Sequence, residues 1–196
     1  RLWRIDPGTH TLVSEGVLKE QQTVWRLALS NDGKFLASSG SDKKIRLWDL
    51  STQETVAQIP QPAVALAFDR YGQALAAHLA DKVAIWRLPF DGDEPSWETQ
   101  PDFDVQGWVG LAFSPDGRSI AASWRREGAV QLWSVADRKL LHHLDIPTWA
   151  HCLAFSPDGK TIAVGDMEKT VSIWGTTTGT KVDQFFHSSA VCCVRL

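Results

Sequence analysis

A seven-residue stretch recurs four times along this chain at a nearly constant interval. "LAFSPDG" occurs at 111–117 and again at 153–159, and close copies stand at 27–33 ("LALSNDG") and 66–72 ("LAFDRYG"). The final glycines of successive copies lie about 42 residues apart, and a repeat of roughly 20–50 residues is typical of proteins built from stacked supersecondary units. The interval therefore predicts a repeat architecture.

Tryptophans keep the same interval. The chain holds ten tryptophans against one tyrosine. Four of them close short apolar runs such as "KIRLW" and "AVQLW", at a similar distance after each repeated glycine: Trp48, Trp86, Trp133 and Trp174. Two independent landmarks in step with one period strengthen the prediction of a repeat.

Each repeat is interpreted as four short strands, a to d in chain order. In the third repeat these are 108–113, 119–124, 129–133 and 139–145, and "SPDG" forms the a–b turn. Pro115 presets φ there, Asp116 can bond its own backbone, and Gly117 accepts a positive φ. Short apolar runs between turn residues favour sheet over helix, so an all-β fold is predicted.

A four-stranded unit that is apolar on both faces must be covered by its neighbours, and radial stacking of such units gives a β-propeller. "FSPDGK" after strand a, "LASSGSD" on strand b and "IRLWDL" on strand c resemble the WD-repeat family. The similarity extends over essentially the whole chain. It implies a propeller of four-stranded antiparallel blades, with an incomplete ring in this chain.

The repeats divide the chain into one propeller segment. Whole blades are expected at about 24–59, 63–102, 108–145 and 150–186. Residues 1–17 supply strands c and d only, and residues 190–196 supply strand a only. The expectation is that the rest of a longer propeller, or another chain, closes the ring.

Composition narrows the class of partner. The net charge of −3 provides no basic field for nucleic acid, and no apolar run reaches the roughly 18 residues of a membrane helix, so neither nucleic acid nor membrane is expected. The odd count of cysteines, Cys152, Cys192 and Cys193, favours reduced thiols and a cytoplasmic location.

The sequence offers no catalytic, cofactor-binding or metal-ligating residues. "DGKT" at 158–161 ends like a phosphate-binding loop, but the leading glycine is absent and no helix follows. Adjacent residues such as His142 and His143 point to opposite faces of a strand, so they cannot chelate from one side. The prediction is a protein that is not an enzyme and needs no cofactor.

The resemblance assigns structural roles. Family blades often carry a hydrogen-bonded network that joins a histidine before strand a, a hydroxyl on strand b, an acid in the b–c turn and the tryptophan of strand c. The tryptophans would be Trp48, Trp86, Trp133 and Trp174, and the acids Asp42, Asp81, Glu127 and Glu168. Ser38 suits Asp42, but only His187 fits the histidine position. We therefore expect these blades to depend on apolar packing more than on the network.

The resemblance also assigns a contact surface, the narrower face of the ring, built by d–a connections, b–c turns and the start of strand a. Its candidate residues are Thr23, Trp25, Ser41, Arg126, Trp149, His151 and Met167. Tryptophan and arginine are the types enriched in interface hot spots. Each of these side chains could instead pack between two blades or be a solvent-exposed residue of a turn.

The favoured function is a non-catalytic scaffold that binds a protein or peptide on this narrow face. The alternative is a regulatory or sensor propeller domain of a larger multidomain enzyme, such as a kinase or a nucleotide-switch ATPase. A propeller enzyme and a nucleic-acid binder are less favoured, because no site and no basic field support them. The sequence names no partner.

Overall fold

A computed structural model describes residues 2–18, 23–79, 82–88, 97–98, 110–124, 129–192 and 194. These residues form strands and turns, with no helix among them. The strands are β1 (Leu2–Ile5), β2 (Leu12–Gly16), β3 (Val24–Leu29), β4 (Phe35–Gly40), β5 (Ile45–Asp49), β6 (Glu54–Ile59), β7 (Ala65–Phe68), β8 (Ala74–His78), β9 (Val83–Arg87), β10 (Trp97–Glu98), β11 (Leu111–Phe113), β12 (Ser119–Trp124), β13 (Ala129–Ser134), β14 (Leu140–Asp145), β15 (Ala150–Phe155), β16 (Thr161–Asp166), β17 (Thr170–Gly175) and β18 (Lys181–Phe186).

Four sheets follow one another along the chain, each with four antiparallel strands paired in chain order. They consist of β3–β6, β7–β10, β11–β14 and β15–β18, and are called the first to fourth blades. β1 and β2 form a separate antiparallel pair before them. The structure confirms the predicted fold class, a WD-repeat type of blade in an arc that does not close within the described residues.

The repeated heptapeptide is the a–b turn of each blade. In the third blade, the Ser114 hydroxyl donates to Asp116 Oδ1 at 2.6 Å and accepts the amide of Ser119 at 2.9 Å. Gly117 closes the turn with a φ of 70°, where a side chain would be strained. The first and fourth blades repeat this network with Ser30–Asp32 and Ser156–Asp158.

The second blade builds the same turn from different residues. Asp69 replaces the serine, and its Oδ1 accepts the amides of Gln73 at 2.7 Å and Ala74 at 2.8 Å. Because Asp69 does the work of both the serine and the aspartate, the third position of this turn needs no carboxylate. Tyr71 occupies it, and both Tyr71 and the preceding Arg70 are exposed.

The apolar cores lie between consecutive sheets. Ile45 and Leu47 of the first blade share one core with Leu75 and Trp86 of the second. Val83 and Ile85 share the next core with Ile120 of the third blade. The third core joins the third and fourth blades, and includes Val130, Leu132, Leu144, Ile162, Val164 and Trp174. Each sheet is therefore stabilised mainly by its neighbours, as in other repeat proteins.

The leucine and phenylalanine positions of the heptapeptide face the preceding blade. Leu66 and Phe68 pack on the core shared with the first blade, and Leu153 packs on the core shared with the third. The equivalent residues of the first blade, Leu27 and Leu29, are 62% and 59% exposed. The pair β1–β2 precedes them and contains only two strands, which explains the exposure.

One predicted strand is described only in part, and another differs from the structure. Of strand d of the second blade, predicted at 96–102, Trp97–Glu98 form β10, and residues 96 and 99–102 lie outside the described residues. Residues 190–192 and 194 carry no strand assignment, although an inner strand was expected at 190–196. Val191 nevertheless reaches the fourth blade, because its amide donates to the carbonyl of Asp166 at 3.0 Å.

Candidate docking face

The innermost strand of a blade begins with an irregularity at two of the candidate positions. Trp25 in β3 and His151 in β15 each lie at a register shift in the pairing of strand a with strand b. A β-bulge of this kind leaves one residue out of the ladder and re-aims its side chain. The structure thus places both residues at equivalent, specially directed positions.

The entry to strand a and the b–c turn meet at the same end of a blade. In the fourth blade, the amide of Met167 donates to the carbonyl of Trp149 at 3.3 Å, and each of these side chains is 44% exposed. In the first blade, the amide of Ser41 donates to the carbonyl of Thr23 at 2.9 Å. We call this end of the blades the docking face.

Arg26 links the bulge of the first blade to the entry of strand a in the second blade. Its Nη1 donates to the carbonyl of Trp25 at 2.8 Å, and its Nε donates to the carbonyl of Val64 at 2.6 Å. Val64 is the second-blade equivalent of Trp25, two residues before the first leucine of the heptapeptide. Burial lowers the pKa of Arg26, but guanidinium stays charged, so the clamp is a charge-assisted one.

The candidate residues form two groups that the structure does not bring into contact. Thr23, Trp25 and Ser41 belong to the first blade, and Trp149, His151 and Met167 to the fourth. The innermost strands contact one another in the order β3, β7, β11 and β15, so two blades separate the groups. The remaining candidate, Arg126, lies outside the described residues.

The cores between blades include three of the strand-c tryptophans, Trp86, Trp133 and Trp174. Trp48, Trp86 and Trp174 are buried, and Trp133 is half-buried against the core between the second and third blades. Trp48 Nε1 donates to the hydroxyl of Ser38 at 2.9 Å, the pairing that the family network implies.

The turn acids differ from blade to blade. Burial alone would raise the pKa of Asp42, but hydrogen bonds and charge from Arg46 and the amide of Lys44 outweigh it and lower the pKa. In the fourth blade Glu168 is exposed, and the buried carboxylate is Asp166, whose Oδ1 accepts the amide of Thr170 at 2.9 Å. Asp81 and Glu127 lie outside the described residues.

A buried histidine escaped the sequence analysis. His78 on β8 takes the position where the first and third blades have Ser39 and Ser123, whose hydroxyls donate to the next blade at Ala63 and Ala150. His78 Nδ1 lies 2.9 Å from the carbonyl oxygen of Leu79, which can only accept, so this nitrogen carries a proton. The sequence could have indicated its burial, because His78 aligns with Ser39 and Ser123 at the same position of strand b.

The side chains that the docking face exposes are suited to binding another molecule by surface contact. Among the described residues, no group of three histidine, cysteine or acidic side chains could hold a metal ion. The described part of the chain also has no helix long and apolar enough to cross a membrane.

The Cys152 thiol donates to the carbonyl of Val191 at 3.5 Å. What the face presents is exposed tryptophan and methionine on a rigid sheet end.

Comparison with known families gives two matches within the chain. Residues 12–49 and 138–175 match the family model described as WD domain, G-beta repeat. The first match runs from β2 to β5 and the second from the turn before β14 to β17. Each match therefore starts at the outermost strand of one sheet and ends in the third strand of the next.

Several curated proteins are similar to this chain. The meiotic recombination protein rec14 of Schizosaccharomyces pombe is 29% identical over 189 residues, covering 92% of this chain and 60% of that protein. The ribosome biogenesis protein WDR12 homolog of Dictyostelium discoideum is 32% identical over 57% of this chain and 25% of its own length. Pre-mRNA-processing factor 19 of Oryza sativa subsp. japonica is 25% identical over 86% of this chain and 33% of its own length. This chain thus spans between a quarter and three fifths of these relatives.

Proposed function

We propose, since this chain belongs to the WD-repeat proteins, that it is a non-catalytic interaction module that binds a protein or peptide partner on the docking face. The rigid blades would hold short turns in place, so that binding costs little loop entropy. Scaffolding of this kind needs no cofactor and no reacting group.

The observation that carries the proposal is the pairing of Trp149 with Met167. These two residues are joined by a backbone hydrogen bond at one end of the fourth blade, and each has a large apolar side chain that is 44% exposed. His151 follows on the bulge of the same strand. Aromatic and methionine side chains are enriched at the centres of protein interfaces, and a rigid support reduces the ordering cost of using them.

The relatives are consistent with an assembly role, because their names refer to ribosome biogenesis, meiotic recombination and pre-mRNA processing. The names assign no partner to this chain. The proposal therefore stops at the class of partner.

The test is affinity capture from cell extract with the wild-type chain and a Trp149→Ala/Met167→Ala variant, followed by identification of the captured protein. The purified partner is then titrated against both chains. Loss of two central anchors should weaken binding at least about tenfold, because each hot-spot side chain contributes more than about 1 kcal/mol.

Val182→Ala provides the matched control, since Val182 is an exposed apolar residue on the outermost strand of the same blade. Its affinity should equal that of the wild type. Equal affinity of the double variant, with circular dichroism showing both chains folded, would place the contact elsewhere and refute the docking face.

A further inference from the structure

A cavity of about 410 Å³ lies between the second and third blades. The second blade contributes its a–b turn and the end of β9, and the third contributes its a–b turn and the turn between β13 and β14. Ala74, which follows the a–b turn, pairs with Arg87 at the end of β9. Strand c therefore ends beside the a–b turn, and the cavity lies at the end of the blades opposite the docking face.

The charged side chains that line this cavity are three arginines and one aspartate: Arg87, Arg118, Arg138 and Asp69. We call it the arginine cavity. All three arginines are exposed. Asp69 is buried, and it remains an anion although its Oδ1 accepts two backbone amides. The lining therefore carries an excess of two positive charges.

Two further carboxylates are close to the arginines in sequence, but neither lines the cavity. Asp116 Oδ1 accepts the amide of Arg118 at 3.0 Å, and Asp137 Oδ2 accepts the hydroxyl of Ser134 at 3.0 Å. Their charges reduce the positive potential of the cavity. The ion pairs between described residues do not involve Arg87 or Arg118, so the guanidinium donors of these two arginines are available to a ligand.

The repeat does not require this concentration of arginine. Arg87 follows the strand-c tryptophan, where the first blade has Asp49. The equivalent cavity between the third and fourth blades has Ser134, Lys160 and Gly179 at the three arginine positions. Two aspartates, one arginine and one lysine line that cavity, so its charges balance. The excess of positive charge is thus specific to the boundary between the second and third blades.

The walls between the arginines are apolar. Ile85 is buried, Phe113 and Val135 are half-buried, and all three line the cavity. Apolar surroundings lower the local dielectric constant and strengthen the attraction between a guanidinium and an anion. The planar guanidinium donates two parallel hydrogen bonds to the oxygens of a phosphate. The arginine cavity therefore combines the charge and the donors that an oxyanion needs.

We propose that the arginine cavity binds a phosphate group, whose oxygens accept hydrogen bonds from Arg87, Arg118 and Arg138. A phosphate monoester carries a charge of about −1.5 to −2 at pH 7, which matches the excess of two positive charges. A carboxylate supplies less charge and fewer oxygens. Inorganic phosphate and a phosphorylated serine present the same group, and the cavity is large enough for the peptide that carries a phosphoserine to lie against Ile85 and Phe113.

The test is a nuclear magnetic resonance titration of the ¹⁵N-labelled chain at pH 7. The probes are inorganic phosphate, the peptide acetyl-Ala-phosphoserine-Ala-amide and its unphosphorylated form. Both phosphate probes should shift the amide signals of Gly117, Arg118 and Arg138, and the unphosphorylated peptide should not. Tighter binding of the phosphopeptide would assign the site to a peptide ligand, and tighter binding of inorganic phosphate to the free ion. No shift with either phosphate probe would overturn the proposal.

Substitutions at equivalent positions separate this site from general surface charge. Arg118→Gln should weaken phosphate binding at least about tenfold, the scale of one charge-assisted hydrogen bond. Arg138→Gly should weaken it similarly and stay folded, because Arg138 has a φ of 57° and the fourth blade has Gly179 there. Lys160→Gln, the equivalent of Arg118 at the next boundary, should change nothing. Equal losses in the Lys160 and Arg118 variants would overturn the assignment.

Acids of the chain itself are the competing occupant. The connection between β9 and β10 contains Asp91, Asp93 and Glu94, which lie outside the described residues. The wild-type chain should bind the phosphate probes without any change to these acids. Binding that appears only in an Asp91→Asn/Asp93→Asn/Glu94→Gln variant would overturn the assignment to an external ligand.

The arginine cavity and the docking face are independent sites. The Trp149→Ala/Met167→Ala variant should bind the phosphate probes as the wild type does. Loss of phosphate binding in that variant would contradict a site between the second and third blades.

Discussion

His78 is the residue whose ionisation bears most directly on stability. It is fully buried on β8, and burial lowers its pKa from 6.5 to about 4. The folded protein therefore keeps the ring neutral at pH values where the unfolded chain already binds a proton. The contribution of His78 to the free energy of unfolding is fully present above pH 6.5. It decreases as the pH falls below this value and is lost near pH 4.

We predict that the free energy of unfolding falls with a slope approaching about 1.4 kcal/mol per pH unit between these two values. His78→Asn keeps a donor for the carbonyl of Leu79 but cannot titrate, so this part of the slope should disappear. Urea titrations from pH 7 to 4 measure it. Parallel pH profiles for the two chains would show that His78 does not ionise differentially.

Arg26 supports the second residue-scale prediction. Arg26→Ala removes two charge-assisted bonds, one to Trp25 in its own blade and one to Val64 in the second blade. It should cost about 1.5–3 kcal/mol. Arg26→Met retains the apolar stem and controls for packing. The two variants should lose similar stability in urea denaturation, whereas full stability of the Met variant would mean that only the stem matters.

At the scale of elements, the a–b turn provides a prediction in triplicate. Ser30→Ala, Ser114→Ala and Ser156→Ala each remove a hydroxyl that bonds a turn aspartate and a backbone amide. Each should cost about 1 kcal/mol. Ser188→Ala, at an exposed serine outside the blades, should change nothing. Unequal costs among the three turns would contradict a shared network.

The same elements show what the sequence could and could not reveal. The repeat period and the "SPDG" turn predict the strands, because turn chemistry and alternation are local properties. The bulges at Trp25 and His151 depend on pairing with strand b. The use of Asp166 in place of Glu168 as the buried acid depends on how the b–c turn brings the amide of Thr170 to the Asp166 carboxylate. Neither feature can be predicted from the alternation of apolar residues or from the turn residues.

At the scale of the molecule, the cores between sheets predict how stability is distributed. The second and third blades have a four-stranded neighbour on both sides, so their central strands should exchange amide hydrogens most slowly. Ile120→Ala empties part of the core between them and should cost about 2–5 kcal/mol. Hydrogen exchange should accelerate most in β7–β14. Uniform acceleration across all four blades would indicate one cooperative unit instead.

The offset between the matched repeats and the sheets has a consequence for how such a chain can lengthen. The unit that recurs in sequence begins at the last strand of one sheet and ends at the third strand of the next. A tandem duplication of that unit cannot add a complete separate sheet, because its four strands belong to two different sheets. Each new copy would complete the sheet before it and leave its own sheet one strand short. Adjacent copies are therefore joined within every sheet, because the fourth strand of each sheet comes from the following copy.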